Sequence, residues 1–305
     1  MIFMISKSNE IIGGDIMDKE LVSLLFQTNA FKVAPEDKPF WYTSGKIGPY
    51  FINVDYLYGS KEDSQELLTH IDDMLVQHEK EEIPFLLYEE IMQHYHQNII
   101  FQTTIDKLVA FVKNNFKLEE IDSISGGERR DWLFSVPLAT LLEKPHITIF
   151  KDLSTVISQN NFKISTASTS LPDTHVFHVA DILNTGSSFE RAWIPAIQNL
   201  GSTISWALFT VDRNQGGTKT LKDLGVKPYS LIQISEDLFH IAQETGIIQN
   251  AQYQMLCEYI KHPDETMKAF IQSHPNFIED VIQYSDDEKA VKRAKLCKEQ
   301  HFYET

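Results

Sequence analysis

One acid and five loop residues raise the first chemical possibility in this chain. In HVADILNTGSSFERAW (178–193) an apolar run closes on Asp181, then turns through Asn184, Thr185, Gly186, Ser187 and Ser188 into a helical pattern. A turn of that composition gathers backbone N–H groups and hydroxyls at one point, and the ensuing helix N-terminus adds about half a positive charge. Gly186 permits a positive φ or a close backbone approach. Such a cradle suits a phosphate monoester. A plain N-capping turn is the alternative that the residues leave open. Neither G-x-x-x-x-G-K-[ST] nor G-x-G-x-x-G occurs here, so neither nucleotide-binding loop is indicated.

A second candidate is ISGGERRDWLFSVPLATLL (124–142). Gly126 and Gly127 permit a tight turn, and Arg129 and Arg130 could grip the oxygens of an anion, bidentately in the best geometry. The bland reading is a solvated Glu-Arg-Arg-Asp face whose ion pairs contribute little. Other chemistries find less support. His94 and His96 in MQHYHQ (92–97) stand two apart and do not face one another on a helix. The zinc patterns H-E-x-x-H and C-x-x-C and the hydrolase elbow G-x-S-x-G are missing from the sequence.

The elements that must position these residues read as follows. DKELVSLLFQTNAF (18–31) has helical apolar spacing behind an acidic start. Residues 40–59 are aromatic and β-branched, broken by Ser-Gly and Gly-Pro, which predicts two short strands around a turn. Residues 60–120 hold three amphipathic helical patterns, at 64–78, 83–95 and 101–116. From 121 to 235 strands at 121–127, 146–152, 174–183, 203–213 and 229–235 alternate with helices at 132–144 and 187–201. That alternation predicts βαβ units, a mostly parallel sheet flanked by helices, and ligands at the carboxyl ends of its strands. Residues 236–305 read as helical, and the partly basic DEKAVKRAKLCKEQ (287–300) reads as a solvated face.

Composition bounds the function. Among 305 residues the formal net charge is −16, which argues against broad binding to nucleic acid. No apolar run reaches the roughly 18 residues of a membrane span. Two cysteines, Cys257 and Cys297, are expected as reduced thiols of a cytoplasmic protein. Residues 1–16 lack the basic start and long apolar centre of a signal peptide. Met17 directly precedes the first helix, so translation is expected to begin there, with 1–16 a non-native or disordered extension.

VFHVADILNTGSSFERA resembles the phosphoribosyl-diphosphate (PRPP) signature of type I phosphoribosyltransferases. The resemblance implies that Asp181 engages the ribose hydroxyls and that Asn184, Thr185, Gly186, Ser187 and Ser188 hold the 5-phosphate. Position 180, where that signature has its first acid, is Ala. YTSGKIGPYFINVD (42–55) and FTVDRNQGG (209–217) are similar to segments of orotate phosphoribosyltransferases. They imply a base site at Ser44, Lys46, Phe51 and Arg213, with Thr43 where many such enzymes have Lys. The family's diphosphate loop falls on Arg129 and Arg130, with Lys151 as a further leaving-group cation. The family's mobile basic loop falls on 150–175, where the only lysines are Lys151 and Lys163.

The resemblance thus implies an α/β type I fold. A hood at 17–59, a helical insertion at 60–120, a core at 121–235 and a helical extension at 236–305 would compose it. It also implies Mg²⁺ carried with PRPP and touching Asp181 indirectly, and a homodimer. The expected activity is transfer of ribose 5-phosphate from PRPP to orotate or a related base. The alternative is a weak or inactive PRPP- or nucleotide-binding regulatory protein on the same fold.

Overall fold

A computed structural model describes residues 17–159, 161–167 and 170–303; the extension expected at 1–16 lies outside them. Helix α1 (Lys19–Gln27) starts where the Asp18 carboxylate accepts from the Glu20 and Leu21 amides. Strands β1 (Phe31–Val33), β2 (Phe40–Trp41), β3 (Ile47–Gly48) and β4 (Tyr50–Ile52) form two small antiparallel ribbons, β1 with β4 and β2 with β3. After a 3-10 turn at Val54–Tyr58 come α2 (Lys61–Gln77), α3 (Ile83–Gln97) and α4 (Ile99–Asn115). Their apolar stripes bury Leu67 and Ile71, Leu87 and Ile91, and Phe101, Ile105 and Leu108.

The main sheet follows. It contains β5 (Ser123–Gly127), β6 (His146–Ile149), β7 (Thr155–Gln159), β8 (Ile164–Ala167), β9 (His175–Leu183), β10 (Thr203–Asp212) and β11 (Lys227–Gln233). Between them lie α5 (Trp132–Leu141), α6 (Ile194–Asn199), entered through a π turn at Phe189–Trp193, and α7 (Gly217–Asp223). The chain closes with α8 (Glu236–Glu244), α9 (Asn250–Lys261), α10 (Pro263–Ser273), α11 (Phe277–Tyr284) and α12 (Glu288–Glu299). His94 on α3 stacks on Tyr58 and bonds its carbonyl oxygen, a packing role.

The strand order is β11-β10-β9-β5-β6-β7-β8, parallel as far as β6 and antiparallel beyond it. The β7–β8 hairpin occupies the stretch where a mobile loop was expected. Its strands are the β-branched runs Thr155–Gln159 and Ile164–Ala167, and Asn161 and Phe162 adopt positive φ in the turn between them. Helix α5 is apolar on nearly every side, because it lies between the sheet and α3 and α4. On the other face Phe189, Trp193 and Ile197 pack on Ala180, Ala207 and Phe209. Burying a side chain such as Ile197 or Phe209 contributes about 1.5–3 kcal/mol. No helix among the described residues is long and apolar enough to cross a membrane.

Two histidines, His146 and His178, are locked inside. His146 on β6 is fully buried and hydrogen-bonds Ser135 Oγ (2.9 Å) and Thr148 Oγ1 (3.0 Å). Burial pushes its pKa down to about 3. The unfolded chain takes up a proton at this residue below about pH 6.5, whereas the folded chain does not. The stability it contributes is therefore full above pH 6.5 and is lost as pH falls towards 3. Lowering the pH from 7 to 5 is expected to remove about 2 kcal/mol through this residue. His146→Gln should flatten that part of the slope in denaturant unfolding; an identical slope would show that His146 is not held neutral.

Candidate functional site

The order of the parallel strands reverses direction between β5 and β9, since β6 follows β5 to one side and β9 lies on the other. Carboxyl ends at such a switch point splay apart and leave a crevice. A cavity of about 360 Å³ lies there, lined by residues 128–131 after β5, Lys151 after β6, and 180–188 at the end of β9. It brings together Arg129, Arg130, Lys151, Asp181, Asn184, Thr185, Gly186, Ser187 and Ser188.

The loop of residues 184–188 makes a tight turn on the cavity wall. Gly186 has φ +81°, and a Cβ there would stand 2.7 Å from Leu221 Cδ1. A side chain is excluded both by conformation and by α7. Among the described residues, the amides of Thr185, Gly186, Ser187 and Ser188 donate to no other group. Four uncommitted N–H donors on a cavity wall are costly unless water or a ligand accepts from them.

Asp181 is 8% exposed, and its Oδ1 accepts from the Ile182 amide at 2.6 Å. Beside it stands Asp131, also 8% exposed, whose Oδ1 accepts from the Asp181 amide (3.3 Å). Its Oδ2 accepts from Gly127 N (3.3 Å) and lies 3.7 Å from His178 Nε2. Burial raises both carboxyls above the usual carboxylate range; for Asp181 the neighbouring charge of Asp131 adds to it. Position 180, as Ala, supplies no carboxylate, yet a second one reaches this wall from the start of α5.

The cations of the cavity all have carboxylate neighbours. Arg129 donates to Leu68 O (2.8 Å) and pairs with Asp72, both on α2. Arg130 Nε lies 3.6 Å from the buried Asp55 Oδ1, and half of its side chain is exposed. Lys151 Nζ lies 3.1 Å from Glu128 Oε1. A polyanion entering here exchanges those partners for its own oxygens, or brings a compensating cation.

Ser44, Lys46, Phe51 and Arg213 fall elsewhere, in a neighbouring cavity of about 430 Å³. Leu183 and Asp212 pair across the ends of β9 and β10. The residues that follow connect the two cavities: Arg213 Nη1 donates to Asn184 Oδ1 at 3.4 Å. Arg213 Cζ also sits 6.0 Å from the centre of the Tyr50 ring, and its Nε is buried with no partner among the described residues.

Sequence reasoning missed Asp131 and the C-terminal residues of the second cavity, Tyr259, Asp264, Arg293 and Tyr303. An Asp just before a helix reads as an N-cap. Asp131 occupies that position, but its side chain makes no cap hydrogen bond and turns to Gly127 and Asp181 instead. The C-terminal residues carried no local signal.

Comparison with known proteins places the chain among phosphoribosyltransferases by sequence. No family model matches the chain. It is 31% identical over 140 residues to the adenine phosphoribosyltransferase of Blochmanniella pennsylvanica, covering 42% of this chain and 73% of that one. It is 34% identical over 90 residues to the orotate phosphoribosyltransferase of Saccharolobus solfataricus, covering 30% and 46%. The solved orotate phosphoribosyltransferase of Francisella tularensis is similar with a TM-score of 0.48 at 13% identity, over 79% of this chain and 98% of that one. Identity of 31% across 73% of a curated phosphoribosyltransferase makes this chain, with an acid and a hydroxyl-rich loop at the end of β9, a member of the type I phosphoribosyltransferase family.

Proposed function

We propose that the protein transfers ribose 5-phosphate from PRPP to a nucleobase, orotate or a related acidic base, and releases diphosphate. One observation carries the reading: four uncommitted loop amides and a buried acid share a cavity with two arginines and a lysine. In this reading Thr185–Ser188 anchor the 5-phosphate and so orient the sugar. Asp181 accepts from a ribose hydroxyl and stands near the positive charge that develops at C1. Arg129, Arg130 and Lys151 stabilise the departing diphosphate. Arg213, with Ser44, Lys46 and Phe51, positions the base in the adjoining cavity; an acidic base answers its guanidinium.

A divalent cation fits this donor set. Asp131 and Asp181 offer oxygen ligands on the wall, while among the described residues no cluster of three or more His, Cys, Asp or Glu could hold an ion alone. Mg²⁺ would therefore be shared with PRPP oxygens, offsetting their charge and that of the carboxylates. Asp131 and Asp181 would keep it on the ribose side of the cavity.

A second reading, a weak or inactive PRPP-binding protein, is favoured by Ala180 and by the carboxylates already beside each cation. Diphosphate release from PRPP with Mg²⁺ across a panel of bases separates the two, with a thermal shift on PRPP alone as the binding control. Release that depends on one base supports the enzyme. Stabilisation by PRPP without release from any base supports the second reading, and neither response removes both.

A further inference from the structure

We propose that the C-terminal helices form a wall of the base cavity, and that Asp264 on α10 holds Lys46 as an internal competitor for an acidic heterocycle. The inference rests on the reading above for the identity of that cavity, and deepens it.

The hood turn is clamped along its length by the end of the chain. Trp41 stacks on Phe277, with ring centres 5.7 Å apart and planes 11° apart. Arg293 Nη1 donates to Trp41 O at 2.9 Å. The Ile47 amide donates to Tyr303 Oη at 3.0 Å. Gly45, at φ +85°, lies so close to α12 that a Cβ would stand 3.0 Å from Leu296 Cγ. Tyr259 meets Tyr50 edge to face, 5.8 Å between centres. These contacts bring Tyr259, Asp264, Arg293 and Tyr303 onto the same cavity as Lys46, Phe51 and Arg213.

The charges inside it are not equivalent. Arg293 Nη1 is engaged by a main-chain carbonyl. Lys46 Nζ is 2.7 Å from Asp264 Oδ1. Arg213 Nε has no partner among the described residues. A planar heterocycle bearing a carboxylate thus finds aromatic walls and the Arg213 guanidinium, which already holds a long 3.4 Å bond from Nη1 to Asn184 Oδ1. To engage Lys46 as well, it must displace Asp264. The Lys46–Asp264 pair is largely solvated, so the competition is modest. A neutral heterocycle gains nothing from breaking it.

Equilibrium binding of orotate and of uracil to the full chain, without PRPP, tests this directly. Asp264→Asn should bind orotate about three- to fivefold more tightly and uracil unchanged. In a Lys46→Met background the same substitution should have no effect on either. Tyr303→Phe, which removes the acceptor for the Ile47 amide, should weaken orotate at least threefold while leaving the thermal shift on PRPP intact. The inference is overturned if Asp264→Asn leaves orotate affinity unchanged, shifts uracil equally, or acts without Lys46. It is overturned likewise if orotate does not bind or Tyr303→Phe leaves its affinity unchanged. A failure of diphosphate release would instead count against the transfer reaction, because none of these measurements needs turnover.

Discussion

Asp181→Asn is expected to lower turnover by a factor of about 100 or more while leaving stability nearly unchanged. The acid lies near the end of β9, is 8% exposed, and lines the same cavity as residues 184–188. In the proposed reaction Asp181, ionised once PRPP and its cation are bound, stands beside a carbon that becomes positive, and removing a group that acts in the transition state typically costs roughly 10²–10³ in rate. The folded state bears the opposite burden: burial and Asp131 both disfavour the ionised form. A neutral amide of the same shape removes that burden, so unfolding should not become easier. Steady-state diphosphate release and a thermal melt of the same preparation give the two numbers. Equal activity in the variant would remove Asp181 from the reaction, and a large fall in melting temperature would make its role structural.

Gly186→Ala is expected to weaken PRPP about 30-fold or more. Its φ of +81° costs an L-residue roughly 1–2 kcal/mol. The added methyl would meet Leu221 Cδ1 at 2.7 Å and push the loop off α7. Either response misaligns the amides of Thr185 to Ser188, which act as a set. Orotate, bound in the neighbouring cavity, should keep its affinity in the absence of PRPP. Calorimetric titration of each ligand reads both effects. Unchanged PRPP affinity would mean that the loop is not the phosphate seat.

How much of this was legible in the sequence differs from element to element, for physical reasons. Strand β9 and its loop could be read directly. A buried parallel strand is a continuous apolar run, and Asn-Thr-Gly-Ser-Ser is a local signal that needs no partner. The helices of 60–120 declared themselves by their apolar stripes. The β7–β8 hairpin did not, because its strands are short and rich in Ser and Thr, and its outer strand buries little. Arg129 read as an available cation. Its partner Asp72 lies 57 residues away on α2, and only the packing of that helix brings the two together. Asp131 was hidden in the same way. Its sequence position is that of a cap, and its turn towards Asp181 depends on how β5, α5 and β9 meet. The C-terminal helices were legible as helices, but an amphipathic pattern does not name the surface it will cover. Their docking on the hood rests on contacts such as Trp41–Phe277 and Ile47–Tyr303, which no spacing encodes.

The most direct measurement is a crystal structure of the full chain with PRPP and Mg²⁺. The 5-phosphate is expected within about 2.7–3.2 Å of the Thr185–Ser188 amides, with a ribose hydroxyl on Asp181 and the diphosphate facing Arg129, Arg130 and Lys151. PRPP bound with its phosphate away from residues 184–188, or a loop left empty while the ligand occupies another cavity, would contradict this placement.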